Sequence, residues 1–298
     1  MYNAEVIYTD WAKAKNISIL AFVLLNVMLM LLRYVDSRRY MLSMESQRAI
    51  ITVLNNNNIT LGDEFRFPRY YPERQMSLSH INFNQNNMIN IFMIDNQNIR
   101  IESDYNRSVF QNNYESVTFK GNRIIYENIG NTQLNIENEN DARIFSVNTI
   151  RSLGEMGRSF VLDKKIVEND SIVLQYRQIY RNNILFSNYM IFMFENNNIR
   201  KIEFSYNRFH GFIGNARELS SADEILVTFM RQVRRTHCEQ TPIQVQKMDL
   251  VHKKIEPSTS NKDSLVAVPF YRIHYTVNGE KNQKIQVILV NAYYNTLK

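Results

Sequence analysis

Hydrophobic positions divide this chain into one continuous apolar block and a long remainder of short alternating runs. From Ile17 to Leu32, sixteen residues are interrupted only by Ser18 and Asn26. Asp10-Trp11-Ala12-Lys13-Ala14-Lys15 precedes the block, and Arg33-Tyr34 succeeds it. A helix of sixteen residues reaches about 24 Å, short of the roughly 30 Å hydrocarbon layer of a bilayer. Counted from Trp11 to Tyr34, it reaches about 36 Å. Trp11 and Tyr34 then lie at the two interfaces, and Lys13, Lys15 and Arg33 extend to the headgroups. The pattern predicts a tail at 1–16 and a single transmembrane helix at 17–35, with the lipid bilayer as its partner. Leu31-Leu32-Arg33-Tyr34-Val35-Asp36 offers no small-x-small site at which a signal peptide would be cut. A buried core helix would keep its apolar residues on a stripe, whereas here they cover every face. Charge does not orient the helix: Arg33, Arg38 and Arg39 on one side outnumber Lys13 and Lys15 on the other, a count that leans against an N-in anchor, yet long C-terminal regions can be translocated despite flanking charge.

The rest of the chain carries shorter periodicities. Tyr40, Met44, Gln47, Ile51 and Leu54 recur at helical steps, predicting a juxtamembrane helix over 36–58 that either continues the span or docks on the outer domain. Pro68 and Pro72, bracketing Tyr70 and Tyr71, mark an extended connection. Ser77 to Phe83, Met88 to Ile94 and Ser116 to Asn128 read as strands, the last turning at Lys120-Gly121-Asn122. A helix is expected from Asn140 to Met156. Ile172, Leu174, Tyr176 and Tyr180 alternate along a strand, Asn188 to Glu195 forms another, and Ile202, Phe204 and Tyr206 make a half-buried third. Ser221-Ala222-Asp223-Glu224 is a capping box ahead of Ile225, Leu226, Phe229, Met230 and Val233. Strands at Phe270 to Val277 and Ile285 to Asn291 flank a turn at Asn278-Gly279.

One segment recurs. Ile91-Phe92-Met93-Ile94-Asp95-Asn96-Gln97-Asn98-Ile99-Arg100 is answered by Ile191-Phe192-Met193-Phe194-Glu195-Asn196-Asn197-Asn198-Ile199-Arg200. Tyr105-Asn106-Arg107 is likewise answered by Tyr206-Asn207-Arg208. Both copies read as strand, asparagine turn, strand, with a helix downstream. The expectation is an α+β protein with two related domains of antiparallel sheet plus helix, at 59–158 and 159–298.

Asparagine makes up roughly one residue in eight of this 298-residue chain. Interleaved with strand-like runs, it reads as turns and solvated faces rather than a prion-like tract. The single Cys238 excludes an intramolecular disulfide and a multi-cysteine zinc site. The net charge of +6 is spread along the chain, so no clustered basic surface for nucleic acid is expected. Arg231, Arg234, Arg235 and His237 close a predicted helix, where cations answer its dipole. The five histidines lack metal-ligand spacing, and His237-Cys238-Glu239 is too short a run to surround an ion. No nucleophile elbow, P-loop or dinucleotide fingerprint is present. The expectation is therefore a non-enzymatic protein without cofactor, metal or catalytic residues. Within the span, Ser18, Phe22 and Asn26 fall within about a quarter turn. A polar face in hydrocarbon is satisfied by another helix, although a single amide can also tolerate lipid.

The residues at both ends carry a resemblance. Asp10-Trp11-x-Lys13-x-Lys15-x-Ile17-x-Ile19-x-x-Phe22-x-x-Leu25-Asn26 resembles the start of the YycI branch of the YycH/YycI family. Val268-Pro269-Phe270-Tyr271-Arg272-Ile273 and Val290-Asn291-Ala292-Tyr293 are similar to that branch's C-terminal strands. The chain departs from the pattern in its nine residues before Asp10 and between Asp249 and Lys254. Family members are membrane-anchored accessory regulators of a Gram-positive two-component sensor histidine kinase that controls cell-wall metabolism. The resemblance implies a cytoplasmic N-terminus, extracytoplasmic domains, and assembly with the kinase and a YycH-like partner. Part of that contact would fall on Ser18, Phe22 and Asn26.

Overall fold

The computed structural model describes residues 4–95, 97–130, 134–168, 171–255, 265–277 and 285–293, with backbone only at 4–10, 12, 36 and 37. Helix α1 (Ala4–Arg39) opens the chain, and after it come α2 (Met44–Asn56) and strands β1 (Ile59–Leu61) and β2 (Glu73–Ser79). Next are α3 (Gln85–Phe92), β3 (Arg100–Ser103), β4 (Ser108–Gln111), β5 (Glu115–Lys120), β6 (Arg123–Asn128) and α4 (Glu139–Ser152). Strands β7 (Phe160–Glu168), β8 (Ser171–Tyr180), β9 (Asn183–Glu195), β10 (Asn198–Ser205) and β11 (Arg208–Arg217) then run consecutively before α5 (Ala222–Thr236). Strands β12 (Ile243–Ile255), β13 (Leu265–Val277) and β14 (Gln286–Asn291) complete an α+β chain.

The strands form one fourteen-stranded sheet whose main path is β11-β2-β13-β12-β9-β10-β6-β5-β4-β3. Among the described residues, only the β1–β12 and β9–β12 pairs are parallel. Strand β9 joins the two halves of this path. Its residues Tyr189 to Glu195 pair with β10, and Ile184 and Leu185 pair with Val251 and His252 of β12. The turns between strands arise from asparagine chemistry. Among the described residues, Asn58, Asn98, Asn135, Asn182, Asn196 and Asn197 adopt positive φ, a conformation that a short amide side chain tolerates. Asn196 and Asn197 link the paired Glu195 and Asn198, and Arg181 and Asn182 link Tyr180 and Asn183. Two consecutive positive φ values at a two-residue loop match the twist of the strands they join.

Helices α3 and α4 lie over one core, built from Met88, Phe92, Val117, Tyr126, Ile150, Tyr176, Phe192 and Phe204 among others. A second core gathers Leu42, Ile50, Leu54, Ile59, Phe229, Val245, Tyr271 and Val290 under α2 and α5. Each such side chain taken fully from water contributes about 1.5–3 kcal/mol. The capping box before α5 forms as expected, with Glu224 accepting from the Ser221 N–H at 3.3 Å. The β5–β6 hairpin also turns where expected, with Gly121 at φ +58°.

Several expectations are corrected. Met88 to Ile94 is not a strand: Asn84 caps α3, and Met88, Ile89 and Phe92 bury one helical face. The repeated segment therefore takes two forms, a helix end and loop in the first copy and the β9–β10 hairpin in the second. The core does not divide at 158/159. Side chains from β8, β9 and β10 pack with residues 88–153, while β1 and β2 pair with β12 and β13. The reason is the register: β10 continues the sheet of β6, with Ile202 opposite Tyr126 and Phe204 opposite Ile124. Helix α2 does not continue α1. The chain breaks between them, and α2 restarts at Ser43, whose Oγ accepts from the Ser46 N–H at 3.1 Å. Its buried residues are Ile50 and Leu54, while Met44 is exposed. The turn expected at Asn278-Gly279 lies outside the described residues.

Candidate functional site

The apolar block forms the middle of α1. Lys13–Val35 is a 23-residue helical stretch long and apolar enough to cross a membrane, and none of it is buried against the rest of the protein. Val23, Leu24, Leu25, Val27, Met28 and Leu29, which surround Asn26, are all exposed. Such a surface suits a helix solvated by lipid. Ser18, Phe22 and Asn26 share one face by their four-residue spacing. Asn26 Nδ2 donates to the Phe22 carbonyl oxygen at 2.8 Å, so one of its two N–H groups is satisfied within the helix. Trp11, Lys13, Lys15 and Arg33 are exposed near the two ends. Tyr34 receives a hydrogen bond from Arg38 Nη2 at 2.5 Å, and the Arg38 guanidinium lies 4.8 Å from its ring centroid.

Where α1 ends, the chain is tied to the sheet domain. Tyr70 N–H donates to the Tyr40 carbonyl at 3.1 Å, and Tyr70 Oη donates to the Arg39 carbonyl at 3.3 Å. These are carbonyls that a helix terminus leaves without internal partners. The Tyr40 ring packs against Tyr70 (6.3 Å, near-perpendicular) and Tyr71 (5.1 Å). Arg39 approaches Glu218 at 3.7 Å. A cavity of about 210 Å³ opens between Arg39, Tyr40, Tyr70, Glu218 and Leu219. Just beyond Tyr40, Leu42 enters the core under α2 and α5. The result is a short connection held by backbone bonds and aromatic contact rather than a free tether. From sequence, Pro68-Arg69-Tyr70-Tyr71-Pro72 reads only as extended. The two tyrosines between prolines, facing a lone Tyr40 after the span, were the signal for this junction.

A second cluster was also missed. Arg272 in β13 binds Asp249 of β12 through two bonds of 2.8 Å and Asp163 of β7 at 2.6 Å. Arg177 of β8 lies 3.4 Å from the same Asp163, stacks 3.8 Å from the Phe186 ring centroid, and donates to the Phe186 carbonyl. Lys247 Nζ is 3.0 Å from Asp249. Burial lowers the Arg177 pKa to about 10, with repulsion from Arg272 adding to it. Burial works against the Arg272 charge too, but its hydrogen bonds to Asp249 and Asp163 outweigh that and raise its pKa. Burial likewise opposes the Asp249 charge, yet Arg272 and Lys247 hold its pKa below the usual value. His274, 4.0 Å from Asp249, is pushed down to about 4 by burial and then by Arg272. The cluster fastens the β7–β8 hairpin to β12 and β13. An arginine inside each of two apolar strands was its sequence signal, since a buried arginine requires partners.

Two other histidines have partners outside this cluster. Ser79 Oγ lies 2.7 Å from His210 Nε2 in an exposed pair. His252 is buried, with Nε2 3.0 Å from the Arg74 carbonyl oxygen, and burial lowers its pKa. Cys238 is exposed just beyond α5. Among the described residues, no group of three or more His, Cys, Asp or Glu is arranged to hold a metal ion.

No family model matches this chain, and no curated protein matches it. A solved structure of an uncharacterized protein from Eubacterium rectale is similar, with a TM-score of 0.54 and 12% identity. The match covers 79% of this chain and 89% of that one. The likeness shows a shared fold. The C-terminal domain of Bacillus megaterium YpeB aligns over 72% of this chain and 94% of its own, at 11% identity and a TM-score of 0.31.

Proposed function

We propose that this chain is a non-enzymatic, single-pass regulatory subunit that modulates a cell-wall-controlling two-component sensor histidine kinase. It would do so through helix contacts in the membrane and through contacts of its outer domain with the kinase and a YycH-like partner. Its N-terminus would be cytoplasmic and its sheet domain extracytoplasmic. The observation that carries this reading is the pairing of a fully exposed apolar helix with a junction that locks it to the sheet domain at Tyr40. A displacement of either part then biases the other, and a kinase with two conformations responds to the difference in packing energy. The resemblance at Asp10 to Asn26 and Val268 to Ile273 supplies the partner class.

The test replaces 17–32 with polyleucine and reads kinase output in cells. The regulatory reading expects output to change as it does on deletion of the gene, with the sheet domain still folded. A second reading, a tethered binder of peptide or wall glycan, is favoured by the polar cavity of about 550 Å³ lined by Asn128, Asn135, Glu195, Asn197, Asn198 and Arg200. It expects polyleucine to be tolerated. Asn26→Leu refines the first reading: unchanged co-purification with the kinase removes Asn26 from the contact.

A further inference from the structure

We infer that the outer end of α1 and the Arg66–Tyr71 segment together form a second membrane contact, a site for anionic phospholipid headgroups of the same bilayer. The inference rests on α1 crossing the membrane, and needs neither the kinase nor a YycH-like protein. Depth is the first argument. The apolar stretch ends at Val35, and Tyr40 lies five residues beyond it. At helical rise this places Tyr40 about 7.5 Å beyond the apolar stretch, at the outer edge of a headgroup layer roughly 5–7.5 Å thick. Tyr70 and Tyr71 pack directly on Tyr40, so they lie at a similar depth although they are thirty residues away in sequence. Tyrosine suits that layer because its ring is apolar and its hydroxyl is wet.

Charge is the second argument. Between 33 and 40 the sequence holds Arg33, Arg38 and Arg39 against Asp36. Among the described residues, the partners of Arg38, Arg39, Arg66 and Arg69 are weak or neutral. The Arg39–Glu218 pair has side chains 69% and 77% exposed, so water and salt screen it. Arg38 and Arg69 donate to the tyrosine hydroxyls of Tyr34 and Tyr71, the latter at 3.1 Å. Arg66 donates to nearby carbonyls of Asp63 and Phe65. A phosphodiester offers each guanidinium a charged, two-oxygen acceptor in place of these. The cavity between Arg39, Tyr40, Tyr70, Glu218 and Leu219 gives the headgroup a place beside the helix rather than on an open face.

The test uses the full chain with Cys238→Ser, reconstituted in vesicles of phosphatidylcholine with or without phosphatidylglycerol. A fluorophore is placed at Leu25→Cys, at Glu64→Cys beside the Arg66–Tyr71 segment, or at Tyr105→Cys. Tyr105 lies in the β3–β4 turn at the far end of the strand path and is 99% exposed. Nitroxides on acyl chains should quench the Leu25 probe in both vesicles. Nitroxides on headgroups should quench the Glu64 probe several-fold more than the Tyr105 probe, more strongly with phosphatidylglycerol present. Arg39→Gln with Arg69→Gln should remove the phosphatidylglycerol-dependent part while leaving Leu25 quenching unchanged. Equal quenching at positions 64 and 105, with Leu25 quenched normally, overturns the headgroup site and leaves the span intact. An unquenched Leu25 probe overturns both.

Discussion

Residues 91–100 and 191–200 are close to the same sequence and end in different structures. In the second copy, Ile191 to Glu195 lies between two strands, with Phe192 opposite Leu174 of β8 and Ile202 of β10. In the first, Ile91 and Phe92 finish α3, Met93 stays buried, and the chain leaves the core at Ile94. A buried carboxylate decides that exit. Glu115 accepts from the Ile94 N–H at 3.0 Å, the Asp95 N–H at 3.0 Å and Tyr126 Oη at 2.8 Å. It holds two amides that a strand would have turned to a neighbour. Burial, and then the bond to Glu115, raises the Tyr126 pKa well above its usual value. Equal local preference was thus resolved by what stood opposite each copy.

The largest test of this difference is Phe192→Ala. Phe192 is fully buried and packs with Tyr176 and Phe145. The expected loss is about 3–5 kcal/mol, read as a fall in the urea midpoint of the detergent-solubilised chain. A loss below about 1 kcal/mol would show that the hairpin copy is not the one that anchors the core.

Acid provides the next test, because the second copy's side of the sheet is fastened to β12 and β13 by the Asp163–Arg272–Asp249 cluster. His274 titrates near 4 in the folded chain and near 6.5 unfolded. Between those values the unfolded chain binds the extra proton. Stability from this group is therefore complete above pH 6.5 and declines as pH falls toward 4. The decline amounts to at most about 3 kcal/mol. His274→Gln should flatten the dependence of melting temperature on pH across this window, and an unchanged slope would assign the acid response elsewhere.

Glu115→Ala should cost about 1–3 kcal/mol, chiefly by orphaning the hydroxyl of the buried Tyr126, because Ile94 and Asp95 are exposed and water reaches their amides. Hydrogen exchange should accelerate at Ile94 and Asp95 and stay unaltered at Phe192 and Phe194. Uniform acceleration would mean that Glu115 supports the whole core rather than the exit of the first copy. The smallest effect is expected at the turn itself. Asn197→Gly places glycine at the second positive-φ position of the β9–β10 loop, a pairing the turn type favours. A gain of roughly a few tenths of a kcal/mol is expected from thermal melts.

Much of the local structure was legible because its causes are local. The capping box at Ser221 satisfies helix amides from within four residues, and Lys120-Gly121-Asn122 carries its own turn signal in a glycine at positive φ. The apolar run at 17–32 needed no partner to be read as a potential span. Three features were not legible in this way. The helical outcome at 88–92, the division of the cores and the Tyr40–Tyr70–Tyr71 junction each depend on residues far away in sequence. Tyr70 is thirty residues from Tyr40, and Asp163 is more than a hundred from Arg272.

The sequence by itself determined which segments could be helix, strand, turn or membrane span, since periodicity, caps and asparagine turns act over a few residues. Tertiary structure alone decided which of two nearly equal segments became a hairpin, how β9 joined the two cores, and how firmly α1 was held. Hydrogen bonds to Glu115, pairing along β9 and aromatic packing on Tyr40 all require the chain to have already returned to the same place. The free energy that selects among comparable local conformations comes from those returns.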